Sequence, residues 1–415
     1  MSSFKSINEV WNYLNTIPKF QDKGAAAANF ELENISRFCS LIGNPQHSFP
    51  SIHVAGTNGK GTTCHLLEAI YSKAGYKTGL FTSPHLMKYN ERFRISGKDI
   101  EDDKILEFFQ KHETVLKNSR LTYFEISTAL AFWLFAEEKI DIAIIETGLG
   151  GRLDSTNIIT PKASVITSIG LDHQDILGNS EAEIAKEKAG IIKENVPTVL
   201  GNISGENEKI ISDIAHSKNA QVYLSSELNP SWSKGFFSIS EKKLSIQTRL
   251  KEEVNKWNVC AVYQTKEILA HEFPISKEEF KDAVSGFKGA PGRFEKLLTD
   301  KEWYFSGAHN IQALRSTLET VTELSAEEPV IIFSLMRDKM SPEVLKLLHD
   351  YKNKYYFELP GERSASYIEL SRHLKARKIT EKTQKSILKE FDTSLVIFTG
   401  SFYFYSTVKR WVSNC

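Results

Sequence analysis

Cysteine is scarce in this chain of 415 residues, and the four present, Cys39, Cys64, Cys260 and Cys415, are too scattered for a zinc ligand set. They fit a reducing cytosol. Net charge is lacking as well: 52 Lys and Arg balance 52 Asp and Glu, which argues against nucleic acid or an anionic membrane as partner. No apolar stretch approaches membrane-span length, and the opening MSSFKSINEVWNYL lacks the apolar core of a signal peptide, so the expectation is a cytoplasmic chain. Internal repeats and low-complexity tracts are missing too. The remaining composition, 41% hydrophobic and 25% charged, is that of an ordinary globular protein, long enough for two domains or three.

Without bulk positive charge, any phosphate site must be local, and Ser51–Thr63 (SIHVAGTNGKGTT) reads as one. Ile52, Val54 and Ala55 form a short apolar strand. Gly56, Gly59 and Gly61 follow, and the helical spacing of Leu66, Leu67 and Ile70 comes next. Strand, glycine loop and helix are the setting in which backbone N–H groups and a positive helix end cradle a phosphate. Lys60 adds a charge for terminal phosphates, and Thr62 offers a hydroxyl to a bound Mg²⁺. The spacing differs from the common G-x-x-x-x-G-K-[ST] pattern, yet the reading is a nucleotide site.

Around this loop, apolar strands alternate with helices. Residues 4–18 and 31–42 read as helices, and Lys23–Phe30 as a helix or a loop. Thr78–Phe81 reads as a strand, with Ser83 at its tip because Pro84 disfavours helical geometry before it. LMKYNERFRISG shows no period and reads as an ordered loop. Helices are expected at about 102–117 and 124–138, strands at Ile140–Glu146, Ala163–Ile169 and Val196–Leu200, and a helix at Glu181–Ala189. Residues 220–250 are strand-like and polar, and helices follow at about 255–272 and 276–285. GFKGAPG, Gly286–Gly292, is the linker candidate. Beyond it, strands at Trp303–Phe305, Val330–Ser334, Tyr355–Phe357 and Leu395–Phe398 make a second domain of roughly 120 residues. The fold class is α/β: a large P-loop-type domain with a mainly parallel sheet, plus a smaller C-terminal Rossmann-like α/β domain. The expected boundary divides 1–287 from 288–415.

In such sheets ligands bind beyond the carboxyl ends of the strands, where Ser83, Glu146, Asp172 and His173 all fall. A carboxylate ending an apolar strand is costly to bury unless paired or metal-bound. With Thr62 and Ser83 it makes a set of hard oxygen donors suited to Mg²⁺. His173 reads either as a core or turn histidine or as an unusual Mg²⁺ ligand. By default Lys188 is a solvated helix residue, and an ammonium cannot ligate a cation.

Taken together, HVAGTNGKGTT, TSPHL…NERFRISG, LTYFE, ETGLGGRLDSTN, TSIGLDHQDILG, KEKAGI, PGRFE and TGSF resemble the folylpolyglutamate synthase/dihydrofolate synthase family of Mur-type, ATP-dependent amide ligases. The matches run in order from about residue 29 to residue 403. The resemblance implies that Thr57, Asn58, Gly59, Lys60, Gly61 and Thr62 hold the ATP phosphates and that Asn258 and Arg293 contact the nucleotide. It implies two Mg²⁺ ions, one on Ser83 and Glu146, which the loop reading joins with Thr62, the other on His173 with Glu146 close enough to share, and a Lys188 that reacts with CO₂ to become an oxygen-bearing carbamate. Asn29, Phe30, Glu31 and Leu32, then Thr122, Tyr123, Phe124 and Glu125, then Leu153, Asp154 and Ser155 align with pterin-substrate contacts. His309 and Ser401 align with residues near an incoming L-glutamate. Lys60, Lys188 and His309 are the catalytic candidates.

The implied activity is ligation of L-glutamate to dihydropteroate and to folates through an acyl phosphate, by a monomer with small-molecule substrates. The residues leave open whether one chain does both or only one. Two departures stand out. Ser306 occupies the position of a family acid that contacts the nucleotide, which leaves a weakened ATP-binding homologue as an alternative, and Ile311 replaces a proline. NFEL at 29–32 also differs from the family's glycine-containing segment.

Overall fold

The computed structural model describes residues 3–18, 29 and 31–413. The expectations for Lys23–Ala28, Phe30 and Cys415 lie outside them. The chain folds as two compact units. One comprises Met1–Trp232, Phe236–Thr248 and Lys256–Phe287; the other comprises Lys288–Cys415 with the short segments Ser233–Gly235 and Arg249–Asn255.

The first unit's large sheet has eight strands, its central ones apolar runs buried on both faces and its edge strands partly or fully exposed. They are β1 (Ser51–Ala55), β2 (Thr78–Phe81), β3 (Phe93–Ile95), β4 (Lys98–Asp99), β5 (Ile142–Glu146), β6 (Ala163–Ser168), β7 (Thr198–Asn202) and β8 (Val222–Leu224). Their order is β4-β3-β2-β5-β1-β6-β7-β8. From β2 to β8 every pairing is parallel, while β3 and β4 add an antiparallel edge. Every residue of β5 is buried, as a central parallel strand requires. Ala143 and Ile145 enter a core with Phe81, Phe132 and Phe135, and strand alternation turns Ile142 and Ile144 to the other face. The helix Tyr123–Glu137 is buried continuously from Glu125 to Phe135, which is why its sequence carries no polar stripe. Strand polarity brings the carboxyl ends of β2, β5, β1 and β6 to one edge, and the site is built there.

Two expectations need correction. The stretch read as a loop, LMKYNERFRISG, contains β3, which pairs antiparallel with β2 (Phe81 opposite Phe93) and turns into β4. The turn is Ser96-Gly97, both at positive φ (+47° and +78°), a two-residue hairpin that suits strand twist. A three-residue strand is too short to show a period. The helix expected over 102–117 is two, Asp102–Lys111 and Glu113–Lys117, separated at His112. After β8 come β9 (Ser231–Ser233), β10 (Phe236–Ile239) and β11 (Leu244–Gln247), in a small separate sheet ordered β11-β10-β9.

The second unit holds β12 (Glu295–Lys296), β13 (Trp303–Ser306), β14 (Val330–Phe333), β15 (Lys354–Phe357), β16 (Arg377–Ile379) and β17 (Val396–Thr399). Their order is β12-β13-β17-β14-β15-β16, parallel except for β12. Ile331, Phe333, Tyr356 and Ile397 pack against Leu314, Leu318 and Val321 of the helix Ile311–Leu324. Asn310 caps that helix, its Oδ1 accepting from the Ala313 N–H at 3.0 Å. Ile311 therefore occupies the first helical position, where proline is favoured but not required. Among the described residues no helix is long and apolar enough to cross a membrane.

Two glycines make a test of this packing. A Cβ on Gly201 in β7 would lie 2.3 Å from the Thr167 carbonyl oxygen, whereas one on Gly286 would meet nothing within 4 Å. Gly201→Ala should cost about 1–3 kcal/mol in urea denaturation. Gly286→Ala should be neutral or stabilising by less than about 1 kcal/mol.

Candidate active site

The loop after β1 is shaped by two glycines. Gly56 has φ +152°, and a Cβ there would lie 1.9 Å from Thr167 Oγ1; Gly59 has φ +87°, and a Cβ there would lie 2.5 Å from Asn258 Oδ1. Only glycine permits these approaches. The end of β6 then holds the loop in place. Thr57 N–H donates to Ser168 O at 2.8 Å, Asn58 N–H to Ser168 Oγ at 3.0 Å, and Thr167 Oγ1 to Asn58 O at 2.6 Å. Gly59 leads directly into the helix Lys60–Lys73, so that helix's first N–H groups and its positive dipole end face the loop.

Lys60 Nζ donates back to Gly56 O at 2.9 Å and Thr57 O at 3.4 Å. Lys188 Nζ donates to the same Gly56 oxygen at 2.9 Å. Lys188 is not a solvated helix residue; it is 3% exposed. Burial, then the charge of Lys60, lower its ammonium to about 7 against the upward pull of Asp172 and Asp154. A large fraction is therefore neutral amine near neutrality, the form that can attack CO₂.

Glu146, 1% exposed at the end of β5, accepts the Ser83 N–H at 3.0 Å. Ser83 ends the β2 tip in a cis bond to Pro84. His173 stands at positive φ (+50°) before the short helix Gln174–Leu177, with Nε2 3.9 Å from Asp172 Oδ1. Among the described residues no three His, Cys, Asp or Glu side chains form a metal cage. The donor chemistry nonetheless fits Mg²⁺, which is usually bound through one or two carboxylates plus phosphates and water. Glu146 and the Ser83 and Thr62 hydroxyls supply such oxygens.

Several residues aligned with substrate contacts have structural partners. Thr122 caps the helix Tyr123–Glu137 with Glu125 as the reciprocal partner, and the other Glu125 oxygen accepts from Asn29 Nδ2 at 3.1 Å. Phe124 stacks on Phe81 with ring centroids 5.8 Å apart and leaves no room for a Cβ on Gly148. Asp154 accepts from Leu149 N–H at 2.8 Å and Thr156 N–H at 3.0 Å, and burial raises its carboxyl despite these bonds. Ser155 Oγ meets Thr128 Oγ1 at 2.8 Å. Behind Asp154, Thr156 Oγ1 also meets His53 Nε2 at 2.8 Å, and burial and Lys193 hold that imidazole down at about 3.

In the second unit Phe402 is the hub that the sequence did not single out. The Arg293 guanidinium lies 4.2 Å from its ring centroid, and His309 meets it edge-on at 5.8 Å. Gly307 must be glycine because its Cβ would lie 2.2 Å from that ring. Ser401 begins the turn carrying Phe402, its Oγ accepting from Tyr403 N–H at 3.2 Å. Ser306 is buried, with Oγ 2.8 Å from Thr317 Oγ1, which donates to Glu252 Oε1 at 2.9 Å. A carboxylate thus stands two hydrogen bonds from Ser306, contributed by Arg249–Asn255. Glu252 is half-exposed as a residue, but its carboxyl end is enclosed; burial raises it to about 7 against Thr317 and Arg293.

The glycine loop, the lysine pair and the strand-end oxygens define a class, and the Mur ligase middle domain family matches residues 54–266. This is a Mur-type ligase. Over 409 residues the chain is 33% identical to the dihydrofolate synthase/folylpolyglutamate synthase of Bacillus subtilis, covering 91% of this chain and 94% of that one. The chain belongs to the dihydrofolate synthase/folylpolyglutamate synthase family, the one its motifs resemble. Solved structures share its mixed α/β architecture. A Yersinia pestis bifunctional folylpolyglutamate synthase/dihydrofolate synthase complexed with AMPPNP and Mn ion superposes with a TM-score of 0.86 at 29% identity, covering 100% of both chains. Escherichia coli FolC in complex with DHPP and ADP gives 0.85 at 28% identity, covering 100% of this chain and 99% of that one.

Glu252 yields a pH prediction. A carboxyl raised from its ordinary 4.5 to about 7 adds stability below about 4.5 that is lost as pH rises through about 7. Glu252→Gln keeps a neutral group there. Its melting temperature relative to wild type should be near zero difference at pH 4.5 and increasingly favourable by pH 8. A difference that does not change with pH would contradict this.

Proposed function

We propose that this chain is a bifunctional dihydrofolate synthase/folylpolyglutamate synthase, which uses ATP and a divalent metal to join L-glutamate to dihydropteroate and to folates. The observation that carries the reading is the convergence of Lys60 and Lys188 on the Gly56 carbonyl, at a helix N-terminus, in a chain of this family. Residues 1–287 are assigned to the nucleotide and the acceptor acid, and residues 288–415 to glutamate.

A carboxylate needs activation because its oxygen leaves poorly. One acceptor oxygen attacks the γ-phosphorus of ATP, the bond to ADP breaks, and an acyl phosphate forms. The amine of glutamate then attacks the acyl carbon and loses a proton, and inorganic phosphate leaves with the C–O bonding pair. Little covalent work falls to the protein, so it acts by positioning and by neutralising charge. Within the assigned segment Thr57–Thr62 the N–H groups from Gly59 onward are the ones given to the phosphates, since those of Thr57 and Asn58 are taken by Ser168, and Lys60 meets the charge that moves to the leaving oxygen. Asn258 and Arg293 hold the nucleotide, while His309 and Ser401 orient glutamate. When bound, Mg²⁺ on Thr62, Ser83 and Glu146 supplies Lewis-acid stabilisation of phosphate charge. A second ion is assigned to His173 and to a Lys188 carbamate, formed when the neutral amine adds to CO₂ and releases a proton. The Glu252 carboxyl close to Ser306 favours a working second domain over a weakened homologue.

The test offers dihydropteroate and tetrahydrofolate separately, each with glutamate and ATP, and reads phosphate release together with product mass. Both acceptors should gain glutamate, with release requiring acceptor and glutamate together. Gain on one acceptor alone would reduce the chain to a single activity, and gain on neither would reject the ligase reading. Lys60→Ala should lower kcat on the order of 10²–10³-fold; unchanged turnover would remove the glycine loop from the chemistry.

A further inference from the structure

Among the described residues, Arg92 is a buried cation without an ion-pair partner. It precedes β3 and is 7% exposed. Its Nε donates to His85 Nδ1 at 2.8 Å, and its guanidinium carbon stands 5.9 Å and 5.6 Å from the ring centroids of Tyr89 and Tyr123. Among the described residues it has no ion pair, and neither Nη group donates to a protein acceptor. Cation–π contact offsets part of the desolvation, but a buried charge is ordinarily paired. Among the described residues, four N–H donors in a planar fork are thus left without a protein acceptor.

The surroundings fix that guanidinium and give its address. Tyr89 is anchored by its hydroxyl to Ser127 Oγ at 2.9 Å. The Glu91 carboxylate holds the preceding turn, accepting from the N–H groups of Leu86, Met87 and Lys88 at 2.7, 3.0 and 2.7 Å. The Arg92 carbonyl accepts the Thr82 N–H at 3.0 Å, and the next residue, Ser83, donates to Glu146. The Arg92 backbone is therefore bonded one residue from Ser83, and its guanidinium lies against Tyr123 of the segment assigned to the pterin acid.

We propose that Arg92 is a specificity-determining residue that binds a substrate carboxylate, the one a folate carries on its glutamate and dihydropteroate lacks. The proposal rests on the ligase reading above. A planar fork matches a carboxylate in two parallel hydrogen bonds, which a lysine cannot do. The carboxylate held here is not the one activated, because a bidentate guanidinium on a nucleophilic oxygen would stabilise the ground state and slow its attack on phosphorus.

The full chain and its Arg92→Gln variant are compared in steady-state ligation with each acceptor. Loss of a charged pair of hydrogen bonds should raise KM for tetrahydrofolate on the order of 10- to 100-fold. KM for ATP, kcat, and KM for dihydropteroate should stay within about threefold of wild type, since tenfold is the smallest effect the lost pair predicts. The melting temperature of ligand-free Arg92→Gln should not fall, since an unpaired buried charge is removed. Arg92→Lys, which keeps charge without the fork, should recover only part of the tetrahydrofolate effect and is the variant to use if Arg92→Gln does not fold. Equal impairment of both acceptors with a lowered melting temperature would make Arg92 structural and overturn the proposal, as would unchanged KM for tetrahydrofolate. If the wild type ligates neither acceptor, the ligase reading fails on its own. Calorimetric titration with p-aminobenzoylglutamate then decides: binding lost in Arg92→Gln supports the carboxylate site, and equal or absent binding in both proteins overturns it.

Discussion

The glycine loop of the first unit depends on the chain passing Thr167 at a distance no side chain tolerates. With Gly56 and Gly59 bare, the loop after β1 drops onto the end of β6, where Thr167 and Ser168 take its backbone groups. That descent aims the Gly56 carbonyl at two lysines from different helices. It also starts the helix Lys60–Lys73 with its open N–H groups toward the same place. Burial lowers the Lys188 ammonium, and the neighbouring charge of Lys60 adds to the effect at the same carbonyl.

Much of this was legible before any coordinates, because parallel strands buried on both faces write themselves as unbroken apolar runs. IAIIE and ASVITS are such runs, and each ends in a polar residue, Glu146 and Ser168, at the strand's carboxyl end, so Glu146 and the glycine loop fell on one edge by topology alone. The hairpin of β3 and β4 was not legible, since three residues carry no period and only Ser96-Gly97 hinted at a turn. Residue type alone makes Lys188 a solvated helix lysine, and only the family resemblance pointed it at the site; the packing of Glu181–Ala189 beside the glycine loop is what buries it. The substrate segments held a different surprise. Thr122, Glu125 and Asp154 are the polar residues a motif reader selects, yet each is engaged in hydrogen bonds that hold its own loop or helix cap.

The second unit was hardest to read at its site, because its key neighbours are distant in sequence. Ser306 looked like a lost acid. Nothing in RLKEEVN indicated that Glu252 leaves the first unit's chain path, joins the second unit and reaches Thr317 beside that serine. Likewise TGSF gave no sign that Phe402 would carry Arg293 on one side and His309 on its edge. Ile311 proved simpler, since the Asn310 cap secures the helix start whatever side chain follows.

The buried chain from His53 through Thr156 to Asp154 ties β1 to the loop after β5. The same strand carries the glycine loop at its tip. The two loops proposed to hold phosphate and acceptor acid are thereby referenced to a single post inside the sheet. A displacement of β1 would carry both together and preserve their spacing, whereas loops hung on separate strands would drift apart.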